Sequence, residues 1–587
     1  MHRFFVGLAL PLVVAPLAWM GGSAQATASA AAAGLPAGLP IGPAGLPESR
    51  VTQSPAPGLT LTTITRGYRD ARREFWTIGI NIPVGEVPPD PDPDADQGAL
   101  GTLDKATAVA RQLVEDPAVA RELAARGLQP RIEPVDYAPR LIGYRGGLIG
   151  YTLRVGRYPA PPAPDDPLLT ALAAAHFRTS LVYTGQDGRP DDTGPWVVRA
   201  LTVDPRVFHG RIGSSVGDVV SGRETTSAMA RKAGAIFAVN GGFFVVGSGD
   251  GTPGVPVGLT VINGTPMTAA TNGRAALVLR HGRAGIQTLS SAYRLRIDDD
   301  AHLAKHPDTH PDTHPDTHPD THLVDALNRP PGVVRNCGGV GGDQPTQRPA
   351  HDFTCTDPDE LIALTPTYGA APPSGDGIEA VADSHGVITA VRPRTGQPVP
   401  AGSTVIQGIG ADAGWLSARA TVGHRLHLDL TVTGPHGHRV RFGPDDFVVN
   451  GGPRLLTGGR VTMDPDLDGL VHEDPALHLP ASALGASYGY AFFIRDNPRT
   501  GVGTDDRGRL LIVQVDGRQD TVSQGLPLKE FADVFKALGA TDAINLDGGG
   551  SSATVVNGRL VSSPSDIDAQ GNRVERAVGD ALVITPG

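Results

Sequence analysis

Near its C-terminus the chain runs through LLIVQVDGRQ, then LPLKEFADVFKALG, then AINLDGGGSS, and this succession constrains the fold more than any other stretch. The outer pieces are apolar and β-rich. The middle piece places Leu528, Phe531, Phe535 and Leu538 on one helical face, with Gly539 as a C-cap. A strand-helix-strand unit of this kind predicts a right-handed crossover between parallel strands. Each strand ends in an aspartate followed by glycine: Asp516-Gly517, then Asp547-Gly548-Gly549-Gly550. Open α/β sheets bind ligands at strand ends, and glycine there lets backbone N–H groups approach a ligand closely.

Similar glycine-flanked polar motifs recur upstream and downstream. VNGGFF carries Asn240, Gly241 and Gly242; NPRTGVG carries Arg499; VDGR carries Arg518; LDGGGSS carries Ser551; ERAVGDAL carries Glu575 and Arg576. Arginine offers a planar fork that suits a phosphate, and a carboxylate can attack an anomeric carbon or activate water there. The residues thus supply both halves of a phospho-sugar site. Taken singly, each motif reads equally well as a turn or cap. No GxSxG surrounds Ser551 or Ser552, which leaves a serine hydrolase with little support. No Rossmann or Walker pattern accompanies the glycines.

The chain is 587 residues long with a formal net charge of -11, and it has no long basic stripe, which argues against nucleic-acid binding. Its 76 Gly and 53 Pro predict many turns and irregular loops. Residues 1–26 read as a secretory signal: a short positive start, an apolar run and a closing Ala24-Gln25-Ala26. Export follows, with no stable membrane insertion, because Pro11 and Pro16 break a run already near the short limit for spanning. Residues 27–57 read as an Ala/Gly/Pro-rich linker. The isolated pair Cys337 and Cys355 reads as one disulfide in an exported protein. HPDTHPDTHPDTHPDTH, inside residues 302–322, reads as an exposed loop insertion whose prolines prevent a helix from aligning the histidines. DPDLDG, Asp464 to Gly469, matches the start of a calcium loop, but the twelfth position is Pro475 instead of glutamate. No cofactor is therefore required, and calcium is a secondary expectation.

Residues 58–190 are expected to form a separate domain. EFWTIGINI, PRIEPVDY, GLIGYTLRVGRY and TSLVYTG read as strands, and LDKATAVARQLVEDPAVARELAARGL and DPLLTALAAAHF as helices. The βαββαβ order predicts a ferredoxin-like antiparallel sheet backed by helices. YTLRVGRY, followed by a helix and a strand, resembles SPOR-type domains, which implies binding to peptidoglycan glycan strands. The acidic insert PPDPDPDADQG departs from that pattern.

From residue 195 to 587 short β runs dominate, giving a mixed α/β, sheet-rich domain. AIFAVNGGFF, LTPTYG, VNGGPRLL, NPRTGVG, LLIVQVDGRQ, GLPLKEFADVFKALGATDAINLDGGGSSATVV and ERAVGDALVI, in that order, resemble the phosphodiester glycosidase family. TGVG departs from the more usual TAIG type. The resemblance implies hydrolysis of a sugar-1-phosphodiester, with an N-acetylglucosamine-type sugar, in wall or exopolysaccharide material. The alternative is a non-catalytic glycan-binding wall protein. Asp547 and Glu575 are the first catalytic candidates and Asp516 the third. Arg499, Arg518, Arg576, Asn240, Gly241, Gly242, Gly548, Gly549 and Ser551 are candidates for binding sugar or phosphate.

Overall fold

The computed structural model describes residues 38–83, 98–137, 147–271, 274–298, 321–335, 344–345, 354–369, 371–463 and 490–587. The signal segment, the acidic insert, most of the His-Pro-Asp-Thr tract, Cys337 and the Asp464–Gly469 motif lie outside them.

The sequence order βαββαβ is realised by β3 (Trp76–Ile80), α1 and α2 (Leu103–Glu115 and Pro117–Ala125), β4 (Pro130–Tyr137), β5 (Gly147–Tyr158), α3 (Pro167–Ala174) and β6 (Thr179–Tyr183). The first helix is split in two because Asp116 caps the helix that begins at Pro117, accepting from the N–H groups of Ala118 and Val119. The strands lie in the order β4-β5-β3-β6, all antiparallel, and the helices cover one face through Val109, Leu113, Val119, Leu123, Leu168 and Leu172. This is the expected ferredoxin-like arrangement.

The chain before this unit corrects the expected boundaries. Residues 48–66 are neither linker nor part of the small domain. β1 (Glu48–Gln53) and β2 (Leu59–Arg66) form an antiparallel pair, and β2 continues onto β7 (Trp196–Val203). β2 docks through Leu59 and Leu61, which share one face and join the common core, while Ile64 is buried on the opposite face. β1 and β2 thus edge an eight-stranded sheet that continues through Leu510–Val515, Arg499–Asp505, Ala540–Asn545, Arg454–Thr457 and Arg460–Val461. Arg499–Asp505 sits antiparallel between Leu510–Val515 and Ala540–Asn545, so the outer two run parallel, as the crossover predicted.

Two further sheets share this sheet's core. One holds β8 (Arg211–Ser215), Ala581–Thr585, β10 (Phe237–Asn240), Thr554–Val556 and Arg559–Leu560. Between β8 and β10 the chain forms the short β9 (Glu224–Thr225) and α4 (Thr226–Lys232). The other includes Val261–Ile262, Phe447–Asn450 and Ala275–Arg280. Leu61, Leu201, Val239, Leu277, Val449, Ile512, Ile544 and Leu582 meet in one cluster. A separate five-stranded sheet, backed by helix Gly410–Arg419, carries Ala326–Leu327 and Leu361–Leu364.

The small domain is tied to the large one by buried polar contacts. Arg154 donates to both oxygens of Asp187 at 2.7 Å and to Tyr490 at 3.0 Å. Burial works against the ionised form of Asp187, and the Arg154 charge outweighs it. Glu74 accepts from Tyr183 at 2.6 Å and from Gln524 at 3.1 Å.

Candidate functional site

Four segments distant in sequence meet around Gly241. β10 pairs antiparallel with Ala581–Thr585, and Asn240 lies opposite Ala581. That register sets Asp580, one residue before the strand, beside Gly241, whose N–H donates to the Asp580 carbonyl at 2.9 Å. The Gly241 carbonyl accepts from the Asp547 N–H at 3.1 Å. Asn240 is fully buried and stitches the segments together. Its Nδ2 donates to the Asp547 carbonyl at 2.7 Å, and its Oδ1 accepts from Thr500 Oγ1 at 2.7 Å and from the Ala553 N–H at 3.2 Å. The fourth segment is Phe447–Asn450, where Asn450 Oδ1 accepts from the Phe243 N–H at 2.9 Å. A Cβ at Gly241 would overlap the Asp580 carboxyl, and one at Gly242 would overlap Asn450. The two glycines therefore admit neighbouring side chains of the protein itself.

Two carboxyl groups flank this turn in different environments. Asp547 is partly exposed, and its Oδ1 accepts from the Gly548 N–H at 2.9 Å. Asp580 is 0% exposed, and neither carboxyl oxygen meets a donor in hydrogen-bonding geometry. Burial pushes Asp580 up to about 7, the nearby Gly242 N–H pulls the other way, and the Asp547 charge adds to the rise. Asp580 is thus brought into the neutral range beside a partly exposed second acid. Acid-base chemistry at a single centre requires this kind of pairing.

The remaining candidates are placed elsewhere or used differently. Asp516 is buried at the end of Leu510–Val515, ion-paired with Arg199 at 2.8 Å and accepting from Gln514 and the Ser563 N–H. Glu575 caps α4, accepting from the Ser227 N–H at 2.8 Å and from the Ser227 hydroxyl. Arg499 is not on an open loop. It lies in a buried strand, and its guanidinium donates to the carbonyls of Leu526, Phe492 and Arg495. Arg576 makes a bidentate pair with Asp566 at 2.7 and 3.0 Å. Arg518 donates to Asn497 Oδ1 from Nε and from its terminal nitrogen. Gly548 and Gly549 open the turn after Asp547, where the Gly549 N–H donates to the Pro498 carbonyl at 3.0 Å. The third glycine of the run, Gly550, lies against the Arg576–Asp566 pair, which a Cβ would overlap. Ser551 Oγ is buried without a hydrogen-bond partner. Cys355 is buried on Thr354–Thr356, and no described cysteine is free.

The structure thus brings together Asn240, Gly241, Gly242 and Asp547 and adds Asp580 and Asn450, which sequence reasoning did not single out. A signal for Asn450 was present: VNGG occurs twice, at 239–242 and 449–452, and the two copies interlock. Asp580 lies within ERAVGDAL, directly after Gly579, but only the β10 register reveals that it stands beside Gly241.

Residues 376–585 match the phosphodiester glycosidase family. A Burkholderia pseudomallei protein described as exported has a solved structure that superposes with a TM-score of 0.74 at 30% identity, covering 94% of this chain and 99% of that one. Bovine N-acetylglucosamine-1-phosphodiester alpha-N-acetylglucosaminidase is 47% identical over 68 residues, 12% of this chain and 12% of its own length. An SPbeta prophage-derived protein of Bacillus subtilis is 38% identical over 89 residues, 15% of this chain and 13% of that one. The match thus spans about an eighth of the length of these curated relatives. Among the described residues no helix is long and apolar enough to cross a membrane.

Proposed function

We propose that this chain, which belongs to the same family as the exported Burkholderia pseudomallei protein and carries a phosphodiester glycosidase domain, hydrolyses a sugar-1-phosphodiester, with an N-acetylglucosamine-type sugar, outside the cell. The observation that carries the reading is the convergence of Asp547 and Asp580 on Gly241, one acid partly exposed and the other fully buried and raised towards neutrality. Scission of an anomeric carbon–phosphate bond passes through an oxocarbenium-like centre and needs a carboxylate as nucleophile or as base for water. Asp547 takes that role. The departing phosphodiester is a good leaving group that needs charge stabilisation more than a proton. Arg518, held at the neutral Asn497 side chain, is the candidate cation for it, because Arg499 and Arg576 are engaged by carbonyls and by Asp566 and the Gly241, Gly548 and Gly549 N–H groups by the Asp580 carbonyl, Asp547 and the Pro498 carbonyl. Asp580 is a positioning residue: its bulk seats Gly241, and its neutral form spares Asp547 a second negative charge. The small N-terminal domain, with its ferredoxin-like order, would hold the enzyme on peptidoglycan glycan strands.

Incubation of the purified protein with a defined N-acetylglucosamine phosphodiester, with free sugar read by mass spectrometry, tests the reading. Release by the wild type, lost about a thousandfold in Asp547→Ala at unchanged thermal midpoint, is expected. Turnover that survives in Asp547→Ala would remove Asp547 from the mechanism. Glycan binding without any release would instead favour a non-catalytic wall protein.

A further inference from the structure

Arg518 opens a tight turn that two parts of the chain hold in place. Its backbone has a positive φ of +57°, in the left-handed region that is unfavourable for a residue with a Cβ. The turn closes behind it. The Arg518 N–H donates to the Gln524 carbonyl at 3.1 Å, and Gln519 and Ser523 exchange backbone hydrogen bonds at 3.0 and 2.9 Å. On the large-domain side, Gln519 donates to the Ser563 carbonyl at 3.1 Å and accepts from the Ser563 hydroxyl at 2.8 Å. The small domain holds the other side. Trp76, at the start of β3, donates from Nε1 to Asp520 Oδ2 at 3.2 Å, and Arg69 pairs with the same oxygen at 3.0 Å. Tyr183, the last residue of β6, backs both side chains: its ring centre lies 5.4 Å from that of Trp76, and the Arg69 guanidinium rests over it at 5.2 Å. Glu74 links the Tyr183 hydroxyl to Gln524 Nε2. A Cβ at Gly185 would lie 2.5 Å from Gln524 Nε2, so this glycine makes room for the contact.

The small domain also reaches the partner of Arg518. Asn497 Oδ1 accepts from the Arg518 fork at 3.0 and 2.9 Å, and Asn497 Nδ2 donates to the carbonyls of Ala491 and Arg495 at 2.7 and 3.3 Å. Those carbonyls belong to a segment seated on the small sheet. Leu153 and Val155 of β5 pack under the helices, while Thr152 and Arg154 between them line a small cleft with Tyr490 and Arg495. The Asp496 N–H then donates to the Gln186 carbonyl at 3.1 Å, just beyond β6. Asn497 is followed by Pro498, whose carbonyl takes the Gly549 N–H of the Asp547 turn. The Arg518 fork and the Asp547 turn therefore hang on adjacent residues. A glycan strand on the small domain would use a surface other than this sheet face, because the chain itself covers it.

We propose that the small domain is a positioning element for the reaction: Trp76, Arg69 and Glu74 fix the 518–524 turn and so aim the Arg518 guanidinium at the substrate phosphate. The identity of that anion rests on the hydrolase reading above, but anion binding can be measured without turnover. The test uses the full chain, with inorganic phosphate as the binding probe in isothermal titration and the N-acetylglucosamine phosphodiester as substrate. Trp76→Phe keeps a ring against Tyr183 and removes the donor to Asp520. Gln524→Leu removes the contact to Glu74. Neither changes the charge of the turn. Each should weaken phosphate and lower kcat/KM about threefold, and the two together about tenfold, against about a hundredfold for Arg518→Gln. Placed on Arg518→Gln, the pair should cause no further loss, because it acts only through that side chain. The thermal midpoint of each variant reports folding. A merely structural role would lower the midpoint and add its loss to that of Arg518→Gln. Unchanged phosphate binding and kcat/KM in the folded double variant, losses that add in full to that of Arg518→Gln, or no phosphate binding by the wild type would each overturn the proposal. Failure of the two readings is separable. Phosphate binding that depends on Trp76 and Gln524, without phosphodiester cleavage, sinks the hydrolase and leaves the positioning role. Cleavage that depends on Arg518 and ignores both substitutions sinks the positioning role and leaves the hydrolase.

Discussion

Replacing Asp580 by asparagine keeps the shape of the side chain and removes its titration. The rise from 3.8 to about 7 is roughly three units at about 1.4 kcal/mol each, so the group's pH-dependent contribution is about 4 kcal/mol. The sign follows from the direction of the shift. Between the unfolded value and the folded one, the native protein holds a proton that the unfolded chain has released. Wild-type stability therefore falls as pH rises from about 4 to about 7 and is flat with respect to this group above that. Asp580→Asn lacks this slope, so the variant should gain on the wild type steadily across that window and lead by up to about 4 kcal/mol at pH 8. The assay is the thermal or guanidinium midpoint of both proteins at half-unit steps from pH 4 to pH 8. For a chain of this size the midpoint is a better readout than an extrapolated free energy. A difference between the two proteins that stays constant across the range would refute the reasoning, because it would mean that solvent or a donor relieves the buried carboxyl. The same pair reports function. If the neutral form of Asp580 supports Asp547, the wild-type kcat should fall above pH 7 and the variant's should not.

Arg154→Met should remove the bidentate partner of buried Asp187, leaving it Arg189 and the Tyr490 hydroxyl, and cost up to about 3 kcal/mol, seen as a lower thermal midpoint and as earlier proteolysis at the domain junction. Arg499→Gln should strand the carbonyls of Leu526, Phe492 and Arg495 and cost about 2 to 4 kcal/mol, with the kcat of the folded fraction kept. A hundredfold fall in kcat at an unchanged midpoint would instead place Arg499 on the substrate. Glu575→Ala should lose the contact to the Ser227 N–H and cost about 1 kcal/mol, measured by denaturation; a loss of turnover without loss of stability would restore Glu575 to the catalytic set.

Elements whose cause is local were legible in the residues. The helix at Leu528–Ala537 follows from the spacing of its apolar face, and its buried residues include Leu528, Phe531 and Phe535. The hairpin after the Asp547 turn follows from Asn557-Gly558, both with positive φ, at +49° and +74°. The ferredoxin-like order of the small domain follows from its alternation of strand and helix patterns. The linker reading failed because β1 is exposed along most of its length, with Val51 at 68%. Such an edge strand carries little apolar signal, and its partner Leu59–Arg66 is claimed by a strand more than 130 residues further on.

The chemistry of the arginines and acids shows where sequence stops being informative. A buried arginine that satisfies three carbonyls and an exposed one that grips phosphate are the same letter in the same motif. What separates them is whether backbone acceptors surround the guanidinium, and that depends on where the segments at 490–495 and 526 fold. Residue type and short-range spacing by themselves determined that polar, glycine-flanked turns would end apolar strands, and that one of them would present Asp547. Only the tertiary structure decided what stands beside it. Asn240 reaches Asp547 across a separation of 307 residues, and Asp580 reaches Gly241 only because Ala581 pairs with Asn240. Strand register aligns groups that no local interaction connects, and burial then raises the proton affinity of one of them, Asp580.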